Sequence, residues 1–169
     1  MARVQSFDPV IGNQPRVLIL GSMPGIASLE AVQYYAHPRN AFWPIMAALF
    51  DIDPTAAYAF RIQQIESLPI ILWDSLKACY RPGSLDSSID QQSAQANDFP
   101  WLLRKHPGIR AILFNGATSE KYFRKLALPL LPECDDIELI RMPSTSPANA
   151  GMNFEQKLAA WRRMLDFID

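Results

Sequence analysis

Residues 34–43, with the sequence YYAHPRNAFW, combine aromatic rings with the polar side chains of His37, Arg39 and Asn40. An aromatic face can stack on a nucleobase, an interaction worth about 1–3 kcal/mol per base. The imidazole can act as a general acid or an electrostatic donor. The segment is therefore a candidate for binding a base and for chemistry on it.

The same segment also has a structural explanation. Phe42 and Trp43 fit the buried face of a helix that begins near Asn40, which would then be its N-cap residue. Tyr34 and Tyr35 precede this helix, so we expect them at the rim of a site. A packed histidine with satisfied hydrogen bonds would account for the imidazole equally well.

The sequence GSMPG forms a tight turn after an apolar run. Gly21 and Gly25 allow backbone amides to approach a ligand closely, and Ser22, Met23 and Pro24 lie between them. The turn does not match the phosphate-binding loop, because no Lys-Ser/Thr pair follows, and it does not match the dinucleotide-binding pattern. An ordinary turn after a strand is the alternative.

The segment 142–151, MPSTSPANAG, carries three hydroxyl groups and two prolines. Hydroxyls and free backbone N–H groups in a stiff loop suit phosphate contacts that position nucleic acid without reading its sequence. A Ser/Pro-rich connection before a final helix is the alternative. The candidate contacts in this loop are Pro143, Ser144, Thr145, Ser146 and Pro147.

Two further polar residues follow apolar runs. Asn115, which precedes Gly116, can be a turn residue or can present a donor and an acceptor to the edge of a base. Asp74 is the only carboxylate directly after such a run. Lys77 could form an ion pair with it, which would give Asp74 a structural role.

Four continuous apolar runs are typical of strands that are buried on both faces, and the segments between them are long enough for helices. Strands that alternate with helices predict a three-layer α/β/α fold with a central four-stranded parallel sheet, and ligands bind such sheets at the carboxyl ends of the strands. We expect the polar turns to meet at that rim. The predicted strands are 16–20, 69–73, 110–114 and 137–142, and a final helix capped by Asn153 and Gln156 is predicted at about 153–168.

Composition narrows the class of protein. The chain has 169 residues, 49% of them hydrophobic and 20% charged, which predicts one globular domain spanning 1–169. A net charge of −1 gives no sign of a broad basic surface, although a local cluster can still contact phosphates. Cys79 and Cys134 have no metal-site spacing, and no metal or cofactor motif is present, so we expect neither. The absence of a leader and of a long apolar run predicts a cytoplasmic protein without membrane contact.

The order GSMPG, YYAHPRNAFW, MPSTSPAN resembles the uracil-DNA glycosylase superfamily, and most of all its hypoxanthine-DNA glycosylase branch. The matching segments span residues 16–149. The resemblance implies a uracil-DNA glycosylase-like fold. It also implies an enzyme of base-excision repair that extrudes a deaminated base from DNA and hydrolyses its N-glycosidic bond.

This sequence departs from the family pattern at two positions. Uracil-specific branches carry a catalytic Asp or Asn at the position of Met23, and several relatives carry a base-stabilising His at the position of Met142. Neither methionine can activate a water molecule or stabilise a leaving oxygen. The resemblance to the hypoxanthine branch leaves Asn40 as the catalytic residue that positions the attacking water, near Tyr35 and the 143–147 turn.

The resemblance also implies roles for the surrounding residues. Tyr35 would stack on the extruded base, and Asn115 would read or hold its edge, with Ser22, Met23 and His37 nearby. The remaining turn residues, together with Arg39, would contact the DNA backbone, and Lys121 and Arg141 are further phosphate candidates. The residue that would fill the gap in the duplex is open among Ser146, Pro147, Ala148 and Met152.

Three functions are consistent with these residues. The first is a monofunctional glycosylase that acts chiefly on hypoxanthine in double- or single-stranded DNA, as a monomer. The second is a uracil- or mismatch-specific glycosylase. The third is a non-catalytic module that binds damaged DNA, which the loss of both usual catalytic groups favours.

Overall fold

The computed structural model describes residues 3–168. Its strands are β1 (Arg3–Gln5), β2 (Val10–Ile11), β3 (Val17–Gly21), β4 (Ile70–Asp74), β5 (Leu76–Tyr80), β6 (Gln95–Ala96), β7 (Ala111–Asn115) and β8 (Glu138–Met142). Its α-helices are α1 (Ile26–Ala31), α2 (Phe42–Phe50), α3 (Tyr58–Glu66), α4 (Phe99–Lys105), α5 (Ala117–Leu126) and α6 (Phe154–Trp161). Short 3-10 turns connect several of these elements.

The central sheet has the strand order β2-β4-β3-β7-β8. The four predicted strands pair in parallel, and each begins and ends within one residue of its predicted bounds. The sheet has a fifth strand that the sequence did not reveal, because β2 contains only two residues and pairs antiparallel with Leu72 and Ile71 at the edge. The predicted fold class is confirmed, with five strands in the sheet.

Alternate residues of the central strands face two separate apolar clusters. Val17 and Ile19 pack with side chains of α2, α3 and α6, whereas Leu18 and Leu20 pack with side chains of α4 and α5. Both faces are therefore covered, which explains why these strands are apolar without alternation. The three layers fix the carboxyl ends of β3, β4, β7 and β8 at one rim.

A second, three-stranded antiparallel sheet has the order β1-β5-β6. β5 follows β4 after the single residue Ser75, whose hydroxyl donates to the Ser119 carbonyl oxygen (2.9 Å). The sequence interpretation missed this sheet because its outer strands are only two or three residues long. It carries the chain from the rim of the central sheet to the segment 81–90.

The final helix is shorter than predicted. Its capping box is confirmed, since Asn153 Oδ1 accepts from the Gln156 amide and Gln156 Oε1 accepts from the Asn153 amide, both at 2.9 Å. The α-helix ends at Trp161, and residues 162–167 continue as a 3-10 helix that keeps Met164 buried. The apolar stripe therefore continues beyond the α-helical part.

Candidate active site

A cavity of about 790 Å³ lies at the carboxyl ends of the central strands. The polar segments that follow β3, β7 and β8 meet there, as the sequence predicted, and the 34–40 segment closes one side. The loop 84–87 after β5 adds a wall that was not anticipated. The cavity is lined by 21–28, 84–87, 115–118 and 141–149, with Phe7, Tyr34, Tyr35, His37, Asn40 and Asp74.

Asn40 lies half-exposed on the wall of this cavity. Its Oδ1 accepts a hydrogen bond from the Phe42 amide (2.9 Å), so the side chain satisfies the first turn of α2, although Ala41 occupies the N-cap position. This bond orients the carboxamide, because Nδ2 cannot accept from an N–H group. Within the described residues Nδ2 has no protein partner, and it is free to donate to a ligand or a water molecule.

The next residue ties this segment to the last loop. The Ala41 amide donates to the Thr145 carbonyl oxygen at 2.9 Å, and the Asn40 amide donates to the His37 carbonyl oxygen at the same distance. The carboxamide is therefore fixed between the 34–40 segment and the 143–147 turn, the arrangement that the sequence predicted for Asn40.

Tyr35 forms an aromatic wall with one face already occupied. Its ring stacks on Phe42 with centroids 4.1 Å apart and an interplanar angle of 21°. Its φ of 55° lies in the left-handed region, which is uncommon for a residue with a bulky side chain. Only the ring face opposite Phe42 is available to stack on a base.

Tyr34 is not at the rim, contrary to our expectation. It is 4% exposed, and its hydroxyl donates to the Asp8 carbonyl oxygen at 2.7 Å. The Trp43 indole donates to the Tyr34 carbonyl oxygen at 2.9 Å, and both Phe42 and Trp43 belong to the core. The alternative explanation, that Phe42 and Trp43 form the buried face of a helix, is therefore confirmed.

His37 lines the cavity, whereas Arg39 is exposed and lies outside the lining. His37 Nδ1 accepts from the Arg39 amide (3.0 Å). A neutral ring in this arrangement carries its proton on Nε2, which makes Nε2 a donor. The structure thus leaves a donor role for His37 open.

Asn115 is 9% exposed, and Thr145 engages both ends of its carboxamide. Thr145 donates its amide to Asn115 Oδ1 (2.9 Å) and accepts from Asn115 Nδ2 at Oγ1 (2.9 Å). Thr145 is 1% exposed, so its hydroxyl is not available for the predicted phosphate contact. The hydroxyl instead holds the end of β7 to the last loop.

The rest of the last loop is anchored by backbone oxygens. The Trp161 indole donates to the Pro143 carbonyl oxygen (2.9 Å), and Lys157 donates to that of Ser146 (3.3 Å). Ser144 Oγ accepts from the Ser146 amide (3.2 Å). The Ser144 and Ser146 side chains stay half-exposed, and their hydroxyl hydrogens remain available to an anion.

Arg81 stabilises the turn after β3 by hydrogen bonds to backbone carbonyl oxygens. This arginine is 1% exposed and donates through Nη2 to the Pro24 carbonyl oxygen and through Nε to that of Gly83 (2.9 Å). Ser22 Oγ donates to Asp86 Oδ1 at 2.7 Å. No pattern in the sequence indicated Arg81, because only the fold brings it close to the turn.

The two methionines at the usual catalytic positions are largely packed into apolar surroundings. Met23 is 7% exposed and lies in a cluster with Leu76 and Tyr122. Met142 is 3% exposed and belongs to the core under α6. Both residues border the cavity and supply neither a proton acceptor nor a hydrogen-bond donor there.

Asp74 ends β4 and lies in the wall of the cavity at 4% exposure. Burial raises the pKa of its carboxyl to about 7, with Asp86 adding to the effect and Arg81 opposing it. Lys77 points outward from β5 and makes no ion pair with Asp74 in the described part of the chain, so the structural role considered for Asp74 is not observed. The sequence feature that could have identified Asp74 as a residue of the site is its position directly after an apolar run.

Positive charge near the cavity is sparse. Arg141 is exposed and borders the cavity, and its Nε lies 2.6 Å from Glu120 Oε1. No lysine is among the lining residues, and residues 3–168 contain no cluster of His, Cys, Asp or Glu that could hold a metal ion. In the same range no helix is both long and apolar enough to cross a membrane. Cys79 and Cys134 are buried free thiols.

Comparisons with known proteins agree with this geometry. A protein from Methanosarcina acetivorans called hypoxanthine DNA glycosylase is 35% identical over 86% of this chain and 87% of its own length. A protein of the same name from Methanosarcina barkeri is 37% identical over 70% of this chain and 74% of its own. A solved NMR structure from M. acetivorans, described as a candidate uracil DNA glycosylase, superposes with a TM-score of 0.78 at 33% identity, covering 98% of this chain and 99% of the other. The family model of the uracil DNA glycosylase superfamily matches residues 9–165, and the chain belongs to that superfamily.

Proposed function

We propose that the protein is a monofunctional DNA glycosylase that hydrolyses the N-glycosidic bond of deaminated bases, chiefly hypoxanthine. The two relatives named hypoxanthine DNA glycosylase, at 35% and 37% identity, support this substrate. The proposal includes a single domain over 1–169 that acts as a cytoplasmic monomer on double- or single-stranded DNA.

The position of Asn40 is the observation on which the proposal depends. Its carboxamide is held at the cavity wall by the Phe42 amide, beside the Tyr35 ring and the 143–147 turn. The Ala41 amide donates a hydrogen bond to the Thr145 carbonyl oxygen, which keeps the neighbouring Asn40 close to the last loop. An amide in this place can orient a water molecule without deprotonating it.

Such a weak group suits the chemistry of a purine nucleoside. The bond between C1′ and N9 breaks before the water attacks, so the sugar becomes oxocarbenium-like while negative charge develops on the base. The main requirements are fixed hydrogen-bond donors around the base and one positioned water molecule near C1′. Met23 and Met142 supply neither, which leaves Asn40 Nδ2 and Oδ1 to hold the water.

Selectivity arises partly from the cost of extrusion. Hypoxanthine carries a carbonyl at O6 that takes up negative charge better than the amino group of adenine does. It also pairs weakly with thymine, so it leaves the stack at a lower cost. A cavity of about 790 Å³ is large enough for a purine, with the open face of Tyr35 as a stacking surface.

The test is base release from end-labelled duplexes that contain deoxyinosine, deoxyxanthosine, deoxyuridine or deoxyadenosine. We expect the deoxyinosine strand to be cleaved only after alkali, because no lysine lines the cavity to form a Schiff base. Faster release of uracil than of hypoxanthine would show that uracil, not hypoxanthine, is the main substrate. Tight binding of damaged duplex without base release, even with excess protein, would favour the non-catalytic module that Met23 and Met142 make plausible.

A further inference from the structure

Two polar groups in the cavity wall have no hydrogen-bond partner among residues 3–168. They are Oδ2 of Asp74 and the hydroxyl of Tyr35, both buried atoms of residues that line the cavity. Asn115 lies close enough to the hydroxyl to oppose the burial that raises the pKa of Tyr35, but Thr145 already engages both ends of the Asn115 carboxamide. Buried polar atoms are normally paired, because an unsatisfied buried donor or acceptor destabilises the folded protein. An unpaired carboxyl and an unpaired phenol in one wall therefore indicate a ligand that completes them.

The two groups converge over Gly21, opposite Asp74 in the β3–β4 register. A Cβ built on Gly21 would lie 2.5 Å from Asp74 Oδ1 and 3.2 Å from the Tyr35 hydroxyl oxygen. Any larger residue at this position would displace one of them. The glycine therefore provides the space that Asp74 Oδ1 and the Tyr35 hydroxyl oxygen occupy beside the β3 backbone.

Burial, with the nearby charge of Asp86, raises the pKa of the Asp74 carboxyl and keeps it readily protonated. Asp86 faces it from the 84–87 loop, the phenols of Tyr34 and Tyr35 face it from the other wall, and Arg81 is the cation that opposes them. Arg81 donates to two backbone carbonyls through Nε and Nη2, while its buried Nη1 has no partner among the described residues, and Lys77 on the next strand is exposed. The pKa of about 7 allows Asp74 to hold a proton near neutral pH and to release it.

We propose, on the basis of the glycosylase function above, that Asp74 is the general acid that protonates the purine as its glycosidic bond breaks, with the Tyr35 hydroxyl aligning the base edge beside it. The electron pair of the C1′–N9 bond passes to the base, and the carboxyl proton moves to one of the unprotonated ring nitrogens, N3 or N7. The water held by Asn40 adds to C1′ and loses a proton to solvent. Asp74 regains a proton from solvent after the base departs, so protons balance over the cycle.

This assignment identifies purines as the class of base that gains most from the site. A departing purine needs protonation on a ring nitrogen more than a departing pyrimidine anion does, because the uracil anion is stabilised by two carbonyl groups. The active form carries the proton, so activity on deoxyinosine should be high below pH 7 and fall at higher pH.

The test is the single-turnover rate of hypoxanthine release between pH 5.5 and 9 for the wild type, Asp74→Asn and Asp86→Asn. The wild-type rate should fall about tenfold per pH unit above pH 7, and Asp74→Asn should be about 100-fold slower below pH 7 and lack that decline. Asp86→Asn is the matched control: removal of its charge should move the decline to lower pH without abolishing it. Circular dichroism and thermal unfolding establish that each variant is folded.

An Asp74→Asn rate within threefold of the wild type below pH 7 would overturn the assignment. A wild-type rate that rises with pH across this range would also overturn it, because the carboxylate would then be the active form. A wild type that releases no hypoxanthine at any pH refutes the proposed function instead, so the two failures are distinguishable.

Discussion

Asn115 and Thr145 are joined by two hydrogen bonds of 2.9 Å that use both ends of the asparagine carboxamide. Thr145 also accepts the Ala41 amide at its carbonyl oxygen. One buried threonine therefore connects the end of β7, the last loop and the segment that carries Asn40. This connection explains how three segments that are distant in sequence keep one geometry.

Replacing Thr145 by valine should destabilise the protein. The substitution removes the acceptor of Asn115 Nδ2 and leaves that buried N–H group unpaired, which should lower the free energy of unfolding by about 1–3 kcal/mol. Urea denaturation measures the change. Thr118→Val is the matched control, since Thr118 is half-buried and its change should stay within about 0.5 kcal/mol. Equal effects at both positions would contradict the role of Thr145.

Asn40→Ala should abolish most base release while DNA binding survives. The rate should drop by about 100-fold or more, because no other group holds the water, whereas the affinity for damaged duplex should change by less than threefold. Single-turnover kinetics and fluorescence anisotropy separate the two effects. Asn153→Ala controls for the lost helix cap: it should cost similar stability, about 1 kcal/mol, with base release intact.

Tyr35→Ala should weaken binding to deoxyinosine-containing DNA more than binding to undamaged DNA. The stacking face accounts for about 1–3 kcal/mol, which corresponds to roughly a 5- to 150-fold change in affinity. Tyr35→Phe keeps the ring and loses only the hydroxyl that is proposed to align the base edge, so its loss of affinity should be smaller than that of Tyr35→Ala. Equal losses on damaged and undamaged duplexes would show that the ring does not contact an extruded base.

Asp74→Asn should stabilise the folded protein at pH 8 but not at pH 4. The folded pKa of about 7 lies above the ordinary unfolded value near 3.9, so the carboxyl contributes its full stability below pH 4 and loses it as the pH rises to 7. The asparagine does not titrate, and the difference between variants should grow to at most about 4 kcal/mol. Unfolding midpoints measured from pH 4 to 8 provide the test, and a constant difference would contradict it.

The sequence predicted the central strands and the turns that follow them better than it predicted the edges of the fold. The positions of the turns after β3, β7 and β8 followed from apolar runs, because a strand buried on both faces has an unambiguous pattern. The edge strand β2 and the outer strands of the second sheet could not be predicted, since segments of two or three residues carry no periodicity. Tyr34 was misplaced for a related reason: the pattern does not show which of two adjacent aromatic rings points inward.

Residue identity and order alone determined the parallel sheet and the capped final helix, and the resemblance to the hypoxanthine branch identified Asn40 as the candidate catalytic group. The tertiary structure decided what each polar side chain is free to do. Thr145 is occupied by Asn115, whereas Asp74, next to Gly21, has no protein partner for its Oδ2 in the described part of the chain. The physical reason is that hydrogen-bond satisfaction and desolvation depend on neighbours brought together from strands up to a hundred residues apart, which local sequence does not specify.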